Sequence, residues 1–124
     1  MSNIIKLTVA SLVGILVAAS VGATSIEHTN YVTFSAPVSL PGVSLAAGTY
    51  IFEVPLDTHS LDVVRVRSRD GRQVYFTGFT QAVERRAELA AGVGIVLGEA
   101  ASGTPTPVRV WFPAGQRRGH QFIY

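Results

Sequence analysis

Arginine is the residue whose spacing points most directly to chemistry. Arg65, Arg67 and Arg69 alternate with Val64, Val66 and Ser68, and Arg72 follows across Asp70-Gly71. Successive side chains on an extended chain point to opposite faces, so valines turned toward a core leave the three guanidinium groups in one outward row. Such planar groups grip phosphate, sulfate or uronate oxygens in a bidentate manner, and Tyr75 and Tyr124 offer rings for stacking on a sugar or a guanidinium. Arg65, Arg67, Arg69, Arg72 and Tyr75 are therefore a candidate anion- or glycan-binding set. Alternation alone also produces the solvated face of an antiparallel sheet, and that plainer origin needs no ligand.

The second concentration of functional side chains is the connection Pro55-Leu56-Asp57-Thr58-His59-Ser60-Leu61-Asp62. Asp57, His59 and Asp62 present carboxylate and imidazole groups, and His120 is a further histidine near the other end of the chain, so these four form a candidate polar loop site. An extended Asp-x-His needs at least one more ligand before it holds a metal, and only folding can bring His120, Glu99 or His28 to it. Asp, Thr and Ser also recur in loops simply because they hydrogen-bond turns. Ser60 beside His59 makes no triad, since neighbouring side chains diverge and no strained G-x-S-x-G turn is present. The eight acids show no spacing that suggests a glycosidase pair. No catalytic residue, metal site or cofactor is assigned on these grounds.

Composition narrows the classes further. The 124 residues amount to one domain, and the absence of cysteine excludes disulfides, thiolate metal sites and thiol nucleophiles. Met1 to Ala23 has the layout of a secretion signal: a short start carrying Lys6, an apolar run from Leu7 to Ala19, and small residues at Val21-Gly22-Ala23. The expected division is a signal peptide over 1–23 and a single all-β domain over 24–124, with an uncleaved membrane anchor as the alternative for the first segment. Removing the signal leaves nine arginines against eight acids, too even a balance to draw the domain onto nucleic acid. No later segment is long and apolar enough for a membrane-spanning helix.

The elements that must position these residues read as strands. Short runs rich in Val, Ile, Phe, Tyr and Thr are separated by Pro, Gly, Asp and Ser at intervals typical of β-sandwiches and barrels. They are Tyr31–Ser35, Val38–Leu40, Val43–Leu45, Tyr50–Val54, Val63–Ser68, Arg72–Val83, Ile95–Gly98, Val108–Phe112 and Gln121–Tyr124. The second and third can merge into one bent strand. The predicted fold is a single antiparallel β-sandwich or partly open barrel of seven to eight short strands.

Four finer expectations follow. Pro41-Gly42 should be a corner between sheets, because proline suits type I or II turns rather than tight hairpin turns. The segment from Gln81 should continue as strand to about Val83 and then become an exposed loop or a single helical turn, ended by Gly92 and Gly94. Arg72–Val83 should carry a bulge near Gly78, since Val74 and Phe76 share one parity while Phe79 and Val83 share the other. The turn before it should be a three-residue loop, Arg69-Asp70-Gly71, pairing Val66 with Val74 and Val64 with Phe76 and laying Arg65 across the Tyr75 ring.

The stretch Val32-Thr33-Phe34-Ser35-Ala36-Pro37-Val38, the Leu40-Pro41-Gly42 and Gly48-Thr49-Tyr50 turns, and Trp111-Phe112-Pro113-x-Gly115 followed by Gly119-His120-x-Phe122-x-Tyr124 resemble small exported all-β proteins of soil bacteria, a group with no established activity. The shared residues are those of turns and core, so the resemblance implies a fold and a periplasmic or secreted location and carries over no functional residue. The function expected is a non-enzymatic binding or adhesion module of the bacterial envelope, with an extracellular polysaccharide or another envelope protein as partner. The alternative is a structural or assembly subunit pairing through exposed strand edges. A small hydrolase ranks third.

Overall fold

A computed structural model describes residues 26–86 and 92–124. The expected signal segment and its cleavage site lie outside that range, as do residues 87–91 of the stretch expected to follow the long strand. The chain is all-β. Its strands are β1 (Ile26–Phe34), β2 (Val38–Leu40), β3 (Val43–Leu45), β4 (Gly48–Pro55), β5 (Val63–Ser68), β6 (Val74–Glu84), β7 (Gly94–Leu97), β8 (Thr106–Phe112) and β9 (Arg118–Phe122), with one 3-10 turn at Leu56–Thr58. All nine belong to one open sheet in the order β1-β4-β5-β6-β9-β8-β2-β3, with β7 attached to β8. The pairs are antiparallel except for a two-residue parallel contact of β2 with β8. Among the described residues, no helix is long and apolar enough to cross a membrane.

The sheet curls because β6 serves two partners. Its first half, Val74 to Phe79, pairs with β5, and its second half, Thr80 to Glu84, pairs with β9. The two halves of the sheet thereby come face to face, and Phe52 of β4 meets Trp111 of β8 and Phe122 of β9 at ring-centroid distances of 5.6 and 6.4 Å. Phe34, Val54, Val64, Val66 and Val108 belong to the same buried cluster. Edge-to-face ring pairs of this kind contribute about 0.5–1.5 kcal/mol each beyond burial of their area.

Three of the finer expectations are corrected. Pro41-Gly42 closes a tight hairpin, with Leu40 directly opposite Val43. Gly42 has φ +81°, as a type II turn requires at its third residue, and strands of only three residues tolerate the twist mismatch that splays longer hairpins.

The arginine hairpin has a four-residue loop, Arg69 to Arg72: the Ser68 N–H donates to the Gln73 carbonyl at 2.8 Å and Gly71, at φ +78°, accommodates the left-handed step. Arg67 then lies opposite Val74, Val66 opposite Phe76 and Arg65 opposite Thr77. The bulge therefore falls at Tyr75, and pairing is regular through Gly78. No parity change is needed at Gly78 because Phe79 points outward, 67 % exposed, while Thr80 takes the buried place and bonds there. The bulge turns Tyr75 and Phe76 both toward the core, Tyr75 meeting Tyr50 edge-on at 5.6 Å rather than Arg65.

One backbone position is set by close approach. A Cβ on Gly119 would stand 2.3 Å from Cδ1 of Phe112, whose ring is buried beneath the Arg85 guanidinium. Gly119→Ala is expected to lower the unfolding free energy by about 1–3 kcal/mol, since the ring must leave its rotamer to admit one methyl group. A urea midpoint unchanged from the parent would show that Phe112 yields freely.

Candidate functional site

The outward face of β1, β4 and β5 carries a charge cluster centred on a residue that the arginine spacing did not announce. Glu53 is fully buried although it sits on the face opposite Phe52 and Val54. It lies between Thr29 of β1 and Arg65 of β5 in the sheet register. The Arg67 Nη2 donates to Glu53 Oε1 at 2.9 Å, and Arg65 Nη1 stands 3.8 Å from Oε2. Arg65 also reaches Asp57 at 3.6 Å, and Arg67 Nη1 donates to the Gly71 carbonyl at 3.3 Å. Two guanidinium groups, each about a quarter exposed, thus roof over one carboxylate.

This arrangement changes what the arginine row can do. Arg65 and Arg67 are compensated by Glu53 and Asp57, so an incoming sulfate or uronate would have to displace carboxylates already in place. Arg69 and Arg72 are exposed in the hairpin loop, apart from that cluster. Between them Asp70 accepts from the Arg72 N–H at 3.0 Å and from the Ser68 hydroxyl at 2.7 Å, and these bonds hold its carboxyl below the usual range. Tyr75 is drawn into the core contacts, and Tyr124 directs its hydroxyl at the Val108 and Ser39 carbonyls, 2.7 and 3.0 Å away. The five candidate binding residues are therefore distributed over three settings rather than assembled in one.

The polar loop residues divide as well. Asp57 faces Arg65, and His59 is exposed, in the left-handed region at φ 58° where it ends the 3-10 turn. Asp62 and His120 meet at a corner of β6 and β9. The Thr80 N–H and hydroxyl both donate to the Asp62 carbonyl at 2.8 Å, and His120 Nδ1 lies 3.3 Å from the same hydroxyl. Because the single hydroxyl proton goes to Asp62, the bonding pattern assigns the imidazole proton to Nδ1. His120 stacks on Trp111 with centroids 5.2 Å apart and is 2 % exposed. Arg118 pairs with the Asp62 carboxylate. Burial first, then the charges of Arg118 and His28, push the His120 imidazole down from 6.5 to about 4, with Asp62 acting the other way. At neutral pH it is an uncharged ring held between Trp111 and Thr80. Among the described residues, no three His, Asp or Glu side chains gather as metal ligands would.

Arg85 is the other residue that spacing did not reveal, because it falls in a stretch where strand and helix signals compete. Its guanidinium is buried over the Phe112 ring and donates from Nε to the Gln116 carbonyl and from Nη2 to the Pro113 carbonyl, at 3.2 and 3.1 Å. It fastens the connection between β8 and β9.

The sheet also ends in edge strands. Among the described residues β1 pairs only with β4, β3 only with β2, and β7 only with β8. Of these edges β1 has nine residues, β7 four and β3 three. No protein-family model, no curated protein and no solved structure matches the chain.

Proposed function

We propose that the chain is an exported, non-enzymatic binding module whose partner is a polypeptide segment, engaged by adding a strand to the open edge of the sheet. The observation that supports it is β1: nine residues long, its backbone ladder shared with β4 alone among the described residues, touched from the β8–β9 connection by the Ala114 N–H that donates to Asn30 Oδ1 at 3.2 Å, and with no proline, lysine or arginine of the kind that usually blunts an edge. Its outer N–H and C=O groups give an extended partner segment a ready ladder, and its alternating side chains supply the selectivity. An acidic polysaccharide is the weaker partner, because Arg65 and Arg67 are already compensated by Glu53. Export rests on the layout of Met1 to Ala23, and the non-enzymatic reading on the use of His120, Asp57 and Asp62 in packing and ion pairs.

A photo-crosslinking residue in place of exposed Thr33, at the far end of β1, is expected to give discrete adducts in the producing cell. The same residue in place of Ser102, exposed in the connection between β7 and β8, is expected to give none. Equal labelling at both positions, or none at Thr33, would remove β1 as the contact.

A further inference from the structure

We infer that the partner of β1 is a second copy of this chain, paired antiparallel with it about a two-fold axis so that two open sheets join into one. This rests on the reading of β1 as a binding edge and goes further in naming the occupant.

Length is the first argument. A nine-residue edge is fully satisfied only by a strand of similar length, and the other described edges of this molecule, with four and three residues, cover less than half of it. Pairing β1 with β3 or β7 of a neighbour would be head-to-tail, which stops only where its rotation closes a ring and otherwise runs on as a filament. Pairing β1 with β1 is isologous and closes after two subunits. Charge is the second argument. From His28 to Phe34 the strand carries no Asp, Glu, Lys or Arg, so two copies meet in antiparallel register without like charges facing each other. The whole chain has a net charge of only +2, which sets little long-range repulsion against association. Register is the third. Tyr31, Val32 and Thr33 belong to the half of β1 whose pairing with β4 is regular, and the irregular step is confined to the start between Ile26 and His28. The regular stretch from His28 to Phe34 is the kind of edge that accepts another strand. Thr33, whose hydroxyl bonds Thr49 of its own chain at 2.8 Å on the outward face, and Tyr31, half-buried two residues before it, would then lie beside the corresponding face of the copy.

The chain has no cysteine, so a single one can be introduced and spin-labelled. With full-length chain labelled through Thr33→Cys, antiparallel pairing anywhere near the middle of β1 brings the two labels within about 20 Å, given a rise of about 3.3 Å per residue. A Ser102→Cys chain serves as control, and any association through residues outside the described range is common to both. The expected result is an intermolecular dipolar distance in that range for the Thr33 label alone, abolished on dilution with unlabelled chain. Amide exchange of β1 should slow as concentration rises. Fast exchange with no intermolecular distance overturns the self-pairing; if Thr33 still cross-links another protein in the cell, the binding edge survives with a different occupant. Outer β1 amides protected at every concentration in a monomer would show that the edge is covered within one chain, and both readings fall.

Discussion

Replacing Glu53 by alanine is expected to lower the unfolding free energy by about 3 kcal/mol. The carboxylate is fully buried and accepts its closest bond from Arg67 at 2.9 Å, so its removal leaves two guanidinium groups without their shared counter-charge. Breaking a buried pair from one side costs about 3–5 kcal/mol, and the lower end applies because Arg65 and Arg67, each about a quarter exposed, can turn partly into water. Glu53→Gln keeps an acceptor for Arg67 and removes the charge, so the loss should be about half as large. That variant also leaves the charge of Arg67 uncompensated and that of Arg65 facing Asp57 alone. It is expected to bind dextran sulfate at low salt where the parent does not, with the binding lost as salt screens the charges. Urea unfolding and a polyanion titration read these two effects separately. If the alanine variant unfolds at the parental midpoint, Glu53 is not the keystone of this face, and if the parent binds dextran sulfate as well as the glutamine variant does, the arginines are free after all.

The second large effect expected is a loss of stability in acid that traces to His120. Its pKa is about 4 in the folded chain against 6.5 ordinarily, so between those values the unfolded state binds the proton and the folded state does not. Stability therefore rises with pH across that window: the contribution is complete above about 6.5, falls as the solution is acidified, and levels off below about 4. A shift of this size is worth roughly 3 kcal/mol at most, at 1.36 kcal/mol per unit. His120→Phe keeps an aromatic ring against Trp111 and removes the titration, at the cost of the Thr80 contact. It should be less stable than the parent at neutral pH and lose less on going to pH 4. Every other residue is common to both proteins, so the difference between their slopes isolates His120. Parallel slopes, or an imidazole NMR titration with a midpoint near 6.5, would show that the ring is reached by water and protonates freely.

Much of the fold was legible because it depends on local composition and on a period of two. Val38–Leu40, Val43–Leu45 and Val63–Ser68 have the strand limits expected of them, since turn residues bound each run, and a glycine in αL closes the arginine hairpin as Asp70-Gly71 suggests. The alternation in Val63–Ser68 correctly separates Val64 and Val66, both fully buried, from Arg65 and Arg67. What alternation cannot say is whether the opposite face is bare. Glu53 and Ile51 share the outward parity of β4 and are buried all the same, because the long side chains of the neighbouring strand β5 lie over that face.

Positions that depend on two distant segments at once were decided by tertiary structure. Phe79 has the hydrophobicity of a core residue and Thr80 does not, yet Thr80 is inside, because Asp62 and His120 supply its bonds there. His120 and Asp62 stand far apart in the chain, and only the passage of β6 from β5 to β9 brings them to one corner. The bulge at Tyr75 follows from the same requirement: with Thr80 fixed inward and Val66 facing Phe76, the extra residue must fall before Phe76 rather than at Gly78. Sequence periodicity determines which side chains share a face; burial, ion pairing and register depend on which other strand covers that face, and that is a property of the folded sheet.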